Sequence, residues 1–139
     1  MTAVWPAALP RPARSDYEET RQEARIRSGA DYGPPSYRRR TSSVAEAVSL
    51  SIRVWRADKA VFDRFWRDTT RRGVLPFFMP DPLTDGWPLL APDGAPLLTP
   101  TGTPLLLSAQ WLGLFGDSLP RTRPDGLRFR ISFDIWVMP

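Results

Sequence analysis

The stretch from Val44 to Met79 constrains the fold more than any other, because three structural signals follow one another in it. Val44, Val48, Leu50, Ile52 and Val54 alternate with Ala45, Ala47, Ser49, Ser51 and Arg53. That is the period-2 signature of a strand with one buried face, interrupted by Glu46 near its outer end. Ala57-Asp58 then opens a helix, with the Asp58 carboxylate at the positive end of the helix dipole. Val61, Phe62, Phe65 and Trp66 fall on one helical face, and Asp63, Arg64, Arg67, Asp68, Arg71 and Arg72 on the other. The spacings predict a helix over 58–72, with Asp63–Arg67 and Asp68–Arg72 as four-apart ion pairs and Gly73 as its left-handed stop. Val74-Leu75-Pro76-Phe77-Phe78-Met79 follows as a short apolar strand, its proline pointing to an edge or a bulge.

The C-terminal segment is the most regular strand signal. Leu127, Phe129, Ile131, Phe133, Ile135 and Val137 face one way; Arg128, Arg130, Ser132, Asp134 and Trp136 face the other. A strand so long and regular is expected at the centre of a sheet. One helix laid on such a sheet gives a mainly β, α+β fold: an antiparallel sandwich or barrel-like sheet with an extended N-terminal arm. The expected core is Val48, Leu50, Ile52, Phe62, Phe65, Trp66, Phe77, Phe129, Ile131, Phe133 and Ile135. Leu107 to Phe115 is apolar on both faces and reads as a buried strand ended by Gly116-Asp117. Residues 119–126 read as a loop closing on a Pro-Asp-Gly turn.

Within 139 residues this is one domain, in which 44–139 form the core and 1–43 an arm. Trp5-Pro6-Ala7-Ala8-Leu9-Pro10-Arg11-Pro12 is held extended by its prolines. Trp5 and Leu9 are its large apolar groups, and their expected destination is either this domain's core or a neighbour's pocket. The charged segment from Tyr17 to Arg27 fits a short helix or an edge strand, with the alternation of Ala24, Ile26 and Ser28 favouring the strand. Arg38-Arg39-Arg40 leads into the Val44 strand. As a nucleic-acid patch it would need aromatic or further basic neighbours on the same surface. Tyr37 adjoins it, but an extended chain points alternate side chains to opposite faces and splits the cluster. A solvated or subunit-pairing strand is therefore the favoured reading.

Residues 80–106 hold an internal repeat. Gly86-Trp87-Pro88-Leu89-Leu90, Gly94-Ala95-Pro96-Leu97-Leu98 and Gly102-Thr103-Pro104-Leu105-Leu106 share Gly-x-Pro-Leu-Leu. Each unit is expected to form a tight turn and a very short strand, together a small meander that lies on the core or protrudes. A phosphate cradle is ruled out by detail, because no Lys-Ser/Thr follows and no helix begins there.

The chain has no cysteine and no histidine. That excludes disulfides, thiolate or imidazole metal sites and Ser-His or Cys-His catalysis within one chain. Asp81, Asp85, Asp93, Asp117 and Asp125 sit at turns, where carboxylates bond their own backbone. No pair of carboxylates stands out for acid–base work, so no enzyme activity and no cofactor are expected. No apolar run is long enough to span a membrane and Met1-Thr2-Ala3-Val4-Trp5-Pro6 is no signal peptide, which predicts a soluble protein made in a cytoplasm. The charge is uneven: residues 1–73 carry 15 basic and 9 acidic groups, net +6, and residues 74–139 carry 4 and 6, net −2. Such asymmetry suits head-to-tail contacts between copies.

The order of these features resembles a family of small phage tail and neck structural proteins, and more distantly the lambda-type minor tail protein M. The residues that carry the resemblance are Trp5-Pro6-Ala7-Ala8-Leu9-Pro10, the Arg38-Arg39-Arg40 approach to a strand, the helix stopped by Gly73 before Phe77-Phe78, and the alternating strand at the C-terminus. The Gly-x-Pro-Leu-Leu repeat departs from the lambda-type pattern. The resemblance implies a β-rich virion component, synthesised in a bacterial host, that forms a hexameric ring at the distal end of a tail or at the neck. Its partners would be further copies of itself, tail tube and tail-tip hub proteins, with no membrane and no nucleic acid other than DNA passing through the lumen. Trp5, Leu9, Arg38, Arg39, Arg40, Trp87, Leu89, Leu97 and Leu105 are the candidate contact residues. The alternative class is a basic nucleic-acid-binding module, which steep salt dependence would distinguish from an apolar ring.

Overall fold

The two alternating segments become the two longest strands, and they pair with each other. The computed structural model describes residues 2–139. Its strands are β1 (Ala3–Val4), β2 (Glu18–Arg21), β3 (Arg25–Ser28), β4 (Ser36–Arg39), β5 (Glu46–Val54), β6 (Phe77–Pro80), β7 (Gln110–Phe115), β8 (Arg121–Asp125) and β9 (Arg128–Val137), with one helix, α1 (Arg56–Arg64). The fold is mainly β with a single short helix, as the α+β reading expects. β5 and β9 run antiparallel with Leu50 opposite Phe133 and Ile52 opposite Ile131. This register sets both apolar rows on one face.

β9 is central. β5 flanks it along one side, while β8 and β7 share the other, β8 along Arg128–Ser132 and β7 along Ile135–Val137. The main sheet continues in the order β1-β6-β7-β9-β5-β2. Residues 121–125, expected as loop, are strand β8, because Gly126-Leu127 closes a two-residue hairpin that lays them against β9. Pro124 is tolerated there because β8 has a free outer edge.

The N-terminal segment is not a free arm. β1 pairs parallel to β6 at one end of the sheet and β2 pairs with β5 at the other, so the residues between them strap the inner face from edge to edge. Trp5 N–H donates to the Phe78 carbonyl at 2.7 Å and Ala13 N–H to the Ser51 carbonyl at 2.8 Å. Trp5 and Leu9 are 7% and 6% exposed, buried in this chain's own core, which corrects their assignment as contacts for a partner. The Trp5 ring meets Phe62, Phe65, Phe77 and Phe133 at centroid distances of 5.6–6.2 Å. On the outer side Asp16 fastens the strap: it accepts from Ser51 Oγ at 2.6 Å and pairs with the Arg130 guanidinium.

The helix is shorter than its sequence spacing predicts. Beyond Arg64 the backbone widens into a π-helical turn over Phe65–Thr69, with Thr70 N–H bonded to the Phe65 carbonyl at 2.9 Å. The i,i+4 register is lost there, which removes the geometry for the Asp68–Arg72 pair. Asp63 pairs backwards with Lys59 at 3.0 Å instead of forwards with Arg67. Phe62 and Phe65 are buried against the sheet, and Trp66 and Phe129 pack at the margin of the same cluster. Arg71, Arg72 and Gly73 then turn left-handed at φ 52°, 59° and 87°. A Cβ on Gly73 would stand 2.7 Å from a Trp66 ring carbon. Gly73→Ala combines a disfavoured φ with that clash and is expected to lower stability by about 2–4 kcal/mol in a denaturant melt.

Candidate functional site

Two modules leave the sheet, and a small acidic cluster lies at its edge. The first module is the repeat. Its three units do not form an open meander; they close on themselves with pseudo-three-fold symmetry. Leu97 N–H donates to the Leu89 carbonyl at 2.8 Å, Leu105 to Leu97 at 2.9 Å, and Leu89 to Leu105 at 2.8 Å, a complete cycle. The turns repeat in the same way: Ala91 donates to Ala95, Thr99 to Thr103, and Leu107 to Trp87. Gly86, Gly94 and Gly102 share φ values of 83°, 86° and 85°, which a side chain would strain, so all three turns require glycine. The eight-residue spacing thus serves to close a triangle.

Backbone bonds tie the three units of this triad together, but they do not bury its side chains. Leu90, Leu98 and Leu106 remain 60%, 56% and 60% exposed, and Trp87, Leu89, Leu97 and Leu105 are also exposed. Its base is fixed to the rest of the fold. Asp85 accepts from the Ala109 N–H and from the Arg11 guanidinium, both at 2.9 Å, and Arg14 lies over the Trp87 ring at 5.3 Å. Asp81 caps the incoming chain by accepting from Leu83 N–H at 2.8 Å and Thr84 Oγ1 at 2.6 Å. The result is a stiff apolar projection clamped to the N-terminal strap.

The second module is the hairpin β3–β4, which pairs with no strand of the main sheet. It carries Arg38 and Arg39, and Arg40 follows directly. The predicted splitting of this arginine run is seen within β4, but β3 changes its consequence. Arg25 lies opposite Arg39 and Arg27 opposite Tyr37, so these four side chains share one face. Arg25 stacks on the Tyr37 ring at 4.4 Å and forks onto Glu23 at 2.8 and 2.9 Å. The paired guanidinium lowers the Glu23 pKa to about 2.

The acidic cluster comes from distant strands, and sequence spacing could not reveal it. The Glu19 side chain on β2 lies beside Glu46 on β5 and raises the Glu46 pKa, opposed by the Arg21 charge. Tyr17 Oη donates to Glu19 at 3.2 Å, and burial, then the Glu19 charge, push the phenol pKa up. Asp81 and Trp111 line the same recess. Because the folded-state pKa of Glu46 is raised, the folded state holds this proton more tightly than the unfolded chain. The stabilisation is present below the ordinary glutamate range and is lost as pH rises through the raised value. Glu46→Gln is therefore expected to raise Tm at pH 7, with the difference from the parent shrinking as pH falls towards the ordinary glutamate range. Equal Tm differences at both pH values would contradict this.

Among the described residues no group of acidic side chains could hold a metal ion, and no helix is long and apolar enough to cross a membrane. Comparison with protein-family models, curated protein sequences and solved structures gave no match.

Proposed function

We propose that this protein is a structural subunit of a phage tail, assembled as a ring at the distal end of the tail or completing its tube. The observation that carries the reading is the triad module. Its three units are cross-linked by backbone bonds and its base is clamped, yet its leucines stand in solvent. A rigid apolar projection is preorganised for contact, since little entropy remains to be lost on docking. The uneven charge of the chain suits heterologous contacts, which close into rings when the rotation allows. The tail, its tube and hub partners and the hexameric copy number rest on the family resemblance of the Trp5–Pro10 motif and the helix–Gly73–Phe77 segment. A ring at the head–tail neck is the variant of the same reading.

Cryo-electron microscopy of the virion tests it directly. Density for this chain in a ring on the tail axis is the expected result; density in the capsid shell, or absence from the purified particle, overturns it. Leu90→Ser, Leu98→Ser and Leu106→Ser together should leave the Tm of the isolated chain nearly unchanged, because these side chains bury little, while particles fail to complete their tails.

A further inference from the structure

We propose that the β3–β4 hairpin is a DNA-binding arm that seats in a groove of the double helix and contacts phosphates on both of its sides. This inference does not rest on the tail assignment. The segment from Gln22 to Arg40 contains Arg25, Arg27, Arg38, Arg39 and Arg40 against Glu23 and Asp31. Every residue of the two strands except Ile26 is exposed. The pairing register distributes the charge. Arg25, Arg27 and Arg39 stand on one face with Tyr37. Arg38, opposite Ile26, stands on the other, and Arg40 joins it because its N–H bonds the Ala24 carbonyl at 2.7 Å and extends the ladder by one residue. Arg25 is held by Glu23 and serves to position the Tyr37 ring. Arg27 and Arg39 on one face, and Arg38 and Arg40 on the other, form no ion pair among the described residues.

Charge complementarity selects a polyanion, and the two-sided placement selects a groove. A flat acidic protein surface could pair with only one face of the ribbon and would leave the other two guanidinium groups without partners. The ribbon also offers little of the apolar anchor that stable protein interfaces need, since Ile26 is its only aliphatic residue larger than alanine. A two-stranded ribbon fits the major groove, about 12 Å wide, whose walls are lined by phosphates. Arginine forks bind phosphate oxygens in pairs, and no lysine is present in the segment. Tyr32, 98% exposed at the hairpin tip, adds an aromatic at the leading end.

The test is fluorescence anisotropy of the full chain with a labelled mixed-sequence DNA duplex over a salt series. Four free arginines predict a log–log salt slope of about −3 to −4. Arg27→Gln with Arg39→Gln, and separately Arg38→Gln with Arg40→Gln, should each reduce the slope by about 2, and the fourfold variant should weaken binding at least about tenfold at low salt. The fourfold Arg→Lys variant keeps the charge and should keep most of the affinity, which separates loss of contact from loss of fold. The inference is overturned if the duplex does not bind at low salt, if the fourfold Gln variant binds as the parent does, or if one face alone carries the whole effect. It is equally overturned if DNA is ignored and the fourfold Gln variant instead loses self-association in sedimentation.

Discussion

Phe133→Asp is expected to abolish cooperative folding. Phe133 is 2% exposed and its ring lies 5.7 Å from Trp5, 5.7 Å from Phe62 and 5.8 Å from Phe115. It sits opposite Leu50 in the middle of the β5–β9 ladder, with helix, strap and sheet all converging on it. Removing a buried phenyl ring costs about 3–5 kcal/mol from lost transfer and the cavity left behind. A carboxyl group in that place adds several kcal/mol more, whether it stays charged or takes up a proton. Together these are on the order of the whole stability of a domain, about 5–15 kcal/mol. Ser132→Asp is the control, because its side chain points to the outer face and is only partly buried. Circular dichroism melts should show no cooperative transition for Phe133→Asp and a near-parental one for Ser132→Asp. A soluble Phe133→Asp variant with the parent's Tm would show that this face does not form the core.

Trp5→Ala is expected to lower stability by about 3–5 kcal/mol, a fall in Tm on the order of 10–20 °C. Trp5 lies at the junction of the strap, α1 and the sheet, so its loss also weakens elements that share no sequence with it. Without the ring, Leu9 and Pro12 are the buried groups left to hold residues 5–12 to the core, with the Arg11–Asp85 pair outside it. The bond from Trp5 N–H to the Phe78 carbonyl opens, β1 leaves β6, and β6 becomes a bare edge. Exposed edges invite pairing between molecules, so aggregation on heating should begin earlier. Hydrogen exchange should quicken first at Trp5 and Ala13, whose amides hold the strap to β6 and β5. A Tm within two or three degrees of the parent's would mean that the strap contributes little to stability.

Local periodicity was enough to identify β5, β9 and the apolar face of α1, because burial on one side imposes a repeat of two or of 3.6 on consecutive residues whatever lies opposite. Gly73 was legible as a left-handed turn residue because few other residues tolerate its backbone conformation, although the regular helix ends earlier, at Arg64. The repeat was legible as turns and short strands for the same reason. What sequence could not settle were the choices of partner. Nothing local in Trp5 says that its pocket belongs to its own chain, and nothing in residues 121–125 says that they pair with β9. The Gly-x-Pro-Leu-Leu units state a period of eight, but their closure depends on Leu89 meeting Leu105 across sixteen residues. Register decided the candidate sites as well. It set Arg25 and Arg27 beside Arg39, and brought Glu19 to Glu46. Periodicity is a property of neighbours along the chain, whereas charge clusters, edges and closed rings are properties of neighbours in space, which only the tertiary structure assigns.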